Sequence, residues 1–278
     1  MEVSTFLIII FAAALHASWN AVVKSGEDKL LQMTAVMSGH IPFAVITLFF
    51  VPSLDFSCWP NLVLGAIFHF GYQVYLVEAY KKGDLSQVYP IARASAPLIA
   101  TAISFIFLGV SFGLVEILAI SLIILGLIST TGTRVQRVPK AGAISAIITG
   151  CFIAAYSLVD GYGGRLGGSP VAYYCWLSLI NGPIMWLYCY RVSPSSLVNL
   201  FGSAKWVFLG GGLSSFSAYC LVMWAFSKAP IAVVMAIRET SIIFAFIIGI
   251  IFLKEKLSKS KLIGTIIAVL GIIVLRSS

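Results

Sequence analysis

Two arginines stand inside apolar runs: Arg93 in "YPIARASAPLIA" and Arg238 in "VVMAIRETSIIF". A guanidinium is a planar fork of donors that suits a carboxylate or phosphate, gripped by two hydrogen bonds at once. At the centre of a bilayer helix an arginine costs about 2.5–3.5 kcal/mol to insert, so each should line a cavity or find a partner. Each lies seven residues after an expected helix start, roughly 10 Å along its helix. The expectation is that they stand near opposite mouths of a cavity and bind or gate an anionic group; the alternative is that they snorkel to the nearer interface. Glu239 follows Arg238, but adjacent helical residues point about 100° apart. That makes Glu239 a candidate proton site in place of an obligatory partner.

Three further polar constellations interrupt apolar stretches. In "LHASWNAVVK" (15–24), His16 and Asn20 are four apart and share a face, with Trp19 beside them. Trp19 and Asn20 are expected to form cavity wall. His16 is either a proton-coupling group, since imidazole titrates near neutrality, or one half of an interhelical hydrogen bond. His69, Tyr72 and Gln73 share a face of the third segment, and Tyr80 continues it toward an aromatic belt. Tyr156, Ser157 and Asp160 stand in the sixth segment. Asp160 precedes "GYGGRLGG", so it is either a proton site or a carboxylate solvated at the membrane edge.

The elements that must hold these residues follow from composition. The 278 residues are 60% hydrophobic and 10% charged, against about 25% charged in soluble domains. Such a chain cannot coat a water-facing surface, and lipid is its expected solvent. A helix crossing about 30 Å of hydrocarbon needs about 20 residues. Ten segments fit, near 4–24, 31–51, 60–80, 86–108, 112–131, 141–161, 170–190, 206–227, 231–253 and 259–276. The first, with no basic residue before its apolar run, reads as a retained helix and not a cleaved signal. Pro90, Pro97 and Pro183 are expected to kink their helices, and "GYGGRLGG" to form a flexible connection. Gly210, Gly211 and Gly212 suit close helix approach.

The two halves resemble each other. "AYKKG" from Ala79 lies over "AFSKA" from Ala225 at an offset of 146, which places His69 over Ser215 and Gln73 over Tyr219. At 145, Arg93 lies over Arg238, "FLG" from Phe107 over "FLK" from Phe252, and Leu125-Gly126 over Leu270-Gly271. Five helices per half is an odd number, so the second repeat would enter the membrane from the opposite side. The expected architecture is therefore all-α, with ten transmembrane helices in two inverted repeats, 1–133 and 141–278. Such repeats place substrate near the midplane between them.

Here a resemblance enters. The stretches "EAYKKGDLSQVYPIARASAPLIA" (78–100), "LHASWNAVVK" and "AAYSLVDG" (154–161) are similar to the EamA family of the drug/metabolite transporter superfamily. The resemblance implies export or exchange of small, often amino-acid-like metabolites. It also implies a central cavity lined by helices one, three, four, six, eight and nine.

The expected function is secondary transport of a small anionic or zwitterionic metabolite by alternating access across the inner or plasma membrane. The expected substrate-binding residues are Trp19, Asn20, His69, Tyr72, Gln73, Arg93, Tyr156, Ser215, Tyr219 and Arg238. The proton-coupling candidates are His16, Asp160 and Glu239. A same-fold exporter of cationic or aromatic drugs is the alternative, and a non-transporting receptor or an intramembrane enzyme the alternative of another class.

No H-E-x-x-H, G-x-S-x-G or P-loop is present. Of five cysteines (Cys58, Cys151, Cys175, Cys189 and Cys220), no two form a C-x-x-C pair, so neither metal nor disulfide framework is expected, and no cofactor is implied. The net charge of +8 reads as topology signalling, not nucleic-acid binding. Of 18 Lys and Arg, 13 fall in the loops after helices one, three, five, seven and nine, and 3 on the other side. The positive-inside rule then puts both termini outside. The partners are the substrate and the bilayer; pairing of two copies stays open.

Overall fold

The computed structural model describes residues 1–82, 85–107, 109–131, 139–251 and 259–277. Among these the chain is helical, without strands. The helices are α1 Val3–Ser25, α2 Lys29–Leu48, α3 Trp59–Lys82, α4 Leu85–Phe107, α5 Leu114–Thr131, α6 Lys140–Leu166, α7 Pro170–Val192, the single turn α8 Pro194–Leu197, α9 Gly212–Phe226, α10 Ile231–Arg238, α11 Ser241–Ile251 and α12 Lys259–Ser277. Six segments are long and apolar enough to cross a membrane: Val3–Val23, Lys29–Leu48, Phe56–Lys82, Lys140–Leu166, Val207–Phe226 and Ile231–Ile248. Shorter apolar helices cover Ile91–Phe107, Leu114–Ser129 and Leu262–Leu275.

Local chemistry sets several ends. Asp28 caps α2, its Oδ1 accepting from the backbone N–H groups of Leu30 and Leu31 at 3.0 Å, while its Oδ2 accepts from Ser196 at 2.7 Å. Ser169 caps α7, with Pro170 in the first turn, where its missing N–H costs nothing. Pro183 sits inside α7, as expected, and Pro42 sits inside α2, which the sequence reading did not single out. Pro90 lies in a stretch whose side chains are outside the description. So do residues 131–138 of "TGTRVQRVPK" (131–140), all of "FLK" (252–254), and much of the basic charge on which the orientation count rests.

Three expectations change. The sixth helix does not stop at 161. It runs through "GYGGRL" to Leu166, because Gly163 and Gly164 are buried helix-contact positions and not a flexible loop. A Cβ on Gly163 would come within 2.6 Å of the Tyr173 ring, and one on Gly164 within 2.8 Å of Met223. Arg165 is accordingly no loose loop charge. Its guanidinium donates to the carbonyls of Phe226 and Ala229.

The ninth expected helix, 231–253, is not continuous. Between α10 and α11 the N–H groups of Glu239, Thr240, Ile242 and Ile243 each bond three residues back instead of four. The tightened turn changes the register around Arg238 and Glu239. The eighth helix opens with a π-helical turn, Val207–Gly211.

Small residues set the closest contacts. Without a hydrophobic drive between helices in lipid, packing and close approach must hold them. A Cβ on Gly39 would sit 2.0 Å from the Phe208 carbonyl oxygen, and one on Gly212 2.8 Å from the Gly39 Cα. Gly212 and, less tightly, Gly211 thus allow the expected close approach to α2, whereas a Cβ on Gly210 would meet nothing within 4 Å. Gly126 and Gly271 do the same between α5 and α12. Their added Cβ atoms would reach Ala268 N at 2.5 Å and Ala119 O at 2.8 Å. Gly39→Ala should therefore lower stability by about 1–3 kcal/mol through overpacking. A fall in the thermal midpoint of the purified protein checks it; an unchanged midpoint would mean α2 and the π turn are not in contact.

Candidate functional site

The interior polar groups form two clusters joined by one tyrosine. The first centres on Arg93 of α4, 4% exposed. Its Nε donates to Glu239 Oε2 at 2.9 Å and its Nη2 lies 2.9 Å from Glu239 Oε1. This is the two-pronged arginine–carboxylate geometry. Nη2 also donates to Ser241 Oγ at 3.1 Å, and Nη1 lies 3.2 Å from His16 Nε2. Glu239 is 3% exposed. One ion pair thereby ties α1, α4, the α10–α11 turn and α11 together.

His16 meets a second donor. The indole N–H of Trp19 points at its Nδ1 from 3.3 Å. Indole and guanidinium nitrogens can only donate, while a neutral imidazole has one N–H and one acceptor nitrogen. The ring therefore accepts from Trp19 or from Arg93 in any one tautomer, not from both. Asn20 gives its amide to the His16 carbonyl at 2.8 Å. The Trp19 indole N–H and the Asn20 amide nitrogen are thus turned to their own helix, and Trp19 is 3% exposed. Both are expected as cavity wall; the structure groups them with His16 on α1.

The second cluster centres on Asp160 of α6, which is fully buried. Oδ2 lies 2.7 Å from His69 Nε2 and accepts from the Tyr219 hydroxyl at 2.9 Å; Oδ1 accepts from Tyr173 at 3.3 Å. Asp160 is therefore not a carboxylate solvated at the membrane edge. Gly65 of α3 makes room for it, since a Cβ there would lie 2.5 Å from Oδ1. The His69 ring stacks on Tyr156 at 3.9 Å, and Tyr72 meets Tyr156 edge-on at 5.6 Å.

Tyr219 bridges the clusters. Its hydroxyl is on Asp160, and the Arg238 guanidinium carbon lies 5.8 Å from its ring centroid, within cation–π range. Arg238 is 2% exposed, and its Nε and Nη1 have no hydrogen-bond partner. The two arginines do not stand at opposite mouths. Arg93 holds the residue next to Arg238: Glu239 meets α4, while Arg238 lies against the Tyr219 ring of α9. Ser215 is buried one turn before Tyr219. Gln73 is buried, its amide nitrogen 3.0 Å from Met37 Sδ and its Oε1 unpartnered.

Sequence reasoning missed Tyr173, Ser241, and the contact of His40 Nδ1 with the Tyr174 hydroxyl at 3.2 Å. Only Ser241, two residues past Glu239, carried a sequence hint. Glu78 pairs with Lys81 and Lys82 at the end of α3, outside both clusters.

Removing one partner of a buried pair strands the other. Arg93→Met should destabilise the fold by about 3–5 kcal/mol, and the added change Glu239→Met should recover most of that loss. A double-mutant cycle on thermal midpoints measures it; additive losses would show that the pair is not coupled.

No curated protein matches the chain. Chains of solved structures do, 29 of them. One, a crystal structure titled only as that of a protein, covers 99% of this chain and 98% of its own, at 17% identity and a TM-score of 0.73. That likeness is one of fold. The sequence of the second half is more specific. Residues 140–277, which carry Asp160, Tyr219, Arg238 and Glu239, match the EamA-like transporter family, and through them the chain belongs to that family of multi-pass membrane transporters.

Proposed function

We propose that this protein is a secondary transporter that moves a small anionic or zwitterionic metabolite across the inner or plasma membrane by alternating access, in export or exchange. The observation that carries the reading is Arg238. It is a buried cation with two unspent donors, lying against an aromatic ring, beside a glutamate already engaged by Arg93. A carboxylate or phosphate oxygen would complete its hydrogen bonds. The cationic-drug alternative wants a carboxylate free to receive the drug. Among the described residues, the buried carboxylates Glu239 and Asp160 are both held, by Arg93 and by His69 with two tyrosines.

In this reading ten helices span the membrane as two inverted repeats, 1–133 and 141–278. Count α10 and α11 as one span and leave out the single turn α8. The contacts then pair up under exchange of the halves: α3 with α6 answers α1 with α9, and α2 with α3 answers α7 with α9. Counterparts also touch each other, as α2 with α7 and α5 with α12. Arg93 grips Glu239 at a separation of 146, one of the two offsets that align the halves. Contacts of this kind are what a pseudo-two-fold axis between the halves produces.

The test is exchange and net flux in proteoliposomes against labelled carboxylates, amino acids and phosphate esters. Arg238→Ala should weaken binding by about 1.5–3 kcal/mol, roughly 10- to 150-fold, with Arg238→Lys between it and wild type. Wild-type flux of none of these compounds would overturn the reading, and binding without flux would make the protein a receptor. Both termini are placed outside; a C-terminal reporter active in the cytoplasm would reverse that orientation.

A further inference from the structure

The two clusters balance charge. Arg93 and Glu239 cancel, and Arg238 and Asp160 cancel across Tyr219, as long as His16 and His69 are neutral. A monoanion arriving at Arg238 leaves this buried set one negative charge in excess. Uncompensated charge in a low-dielectric interior is strongly unfavourable, and a group facing it takes up a proton instead. Glu239 is a poor receiver, because Arg93 fixes both of its oxygens. Asp160 is the better one. Its Oδ2 accepts from His69 Nε2 at 2.7 Å, so an added proton has the free Nδ1 of the same imidazole to go to, which leaves an imidazolium held against the carboxylate.

We propose that one proton binds together with each anion, held on the His69–Asp160 pair, and that Tyr219 makes the two bindings interdependent. This rests on anion binding at Arg238. Tyr219 is a positioning residue here: its ring borders the guanidinium and its hydroxyl donates to Asp160, so one side chain touches both events. The groups around the pair, element by element, are few. They are His69 of α3, His40 of α2 against the Tyr174 hydroxyl, Tyr173 and Tyr174 of α7, Tyr219 of α9, Arg238 of α10 across the Tyr219 ring, and Tyr156 of α6 itself. Cys58 lies at the near end of α6, against Gly167, and Arg93 of α4 is turned to Glu239. Among these described groups, Arg238 is the one fixed charge near the pair that is not bound to a carboxylate.

The co-binding is electroneutral, so its signature is thermodynamic. Proteoliposomes are loaded one pH unit more alkaline inside than out, with membrane potential clamped, and labelled lactate, glutamate and inorganic phosphate serve as probes. With one proton per anion, the exchanging probe should accumulate about tenfold inside at steady state, whatever the rate. Its addition to weakly buffered vesicles should make the outer medium more alkaline, with one proton lost per anion taken up.

Asp160→Asn should let any remaining exchange proceed with no accumulation, a ratio of one. Tyr219→Phe keeps the ring and loses the hydroxyl; it should shift the pH profile of uptake relative to wild type. If wild type exchanges a probe but the pH gradient drives no accumulation of it, this inference falls and the transporter reading stands. If wild type exchanges none of the three, the anion reading itself falls. Proton uptake by the wild-type protein decides the matter even if Asp160→Asn does not fold.

Discussion

The cost of an ion in an apolar interior governs this molecule. Arg93 sits 4% exposed in α4 against a bound counter-charge, which Glu239 supplies with both oxygens. The pair lies where α10 ends and the backbone tightens, and there consecutive residues meet different neighbours. Glu239 goes to α4 and Arg238 to α9. The ion pair sits at this tightened turn, and His16 of α1 joins it as a third member.

Around this electrostatic centre the helices approach through missing side chains. Gly65 gives Asp160 its place, Gly163 admits Tyr173 and Asn61, and Gly39 meets Gly212 backbone to backbone. In a chain whose outer face is apolar like the lipid it would meet, burying more leucine brings little gain, whereas closing the distance between backbones brings dispersion contacts and room for polar networks. The glycines and the charged clusters are therefore parts of one arrangement, since the 2.7 Å bond of Asp160 to His69 spans the close contact of α3 and α6.

Much of this was legible in the sequence. Charged and polar residues inside apolar runs marked Arg93, Arg238, Asp160, His69, His16 and Glu239, because any such residue in lipid needs a reason. The internal offset placed Arg93 opposite Arg238 and, one residue on, its true partner Glu239. What stayed hidden depends on contacts between distant segments. Nothing in "VVMAIRETSIIF" announces a tightened turn, and nothing near Tyr173 points to a carboxylate thirteen residues earlier. For Trp19 and Asn20, helical spacing gives a face shared with His16 but not what that face meets. "GYGGRLGG" was read as a loop because glycine loosens isolated chains; packed against Tyr173 and Met223 it extends a helix instead.

The separation of 146 residues between Arg93 and Glu239 has a consequence for biogenesis. Chains emerge from the ribosome at about 5–20 residues per second, so α4 is made roughly 7 to 30 s before its counter-ion exists. His69 likewise precedes Asp160, by 91 residues. Through that interval the first half carries a guanidinium lacking its carboxylate, and the insertion machinery, water or the lipid headgroups must shelter it. Completion of the second half is then the step that settles the first, and a chain truncated before Glu239 is left with an unpaired charge for quality control to find.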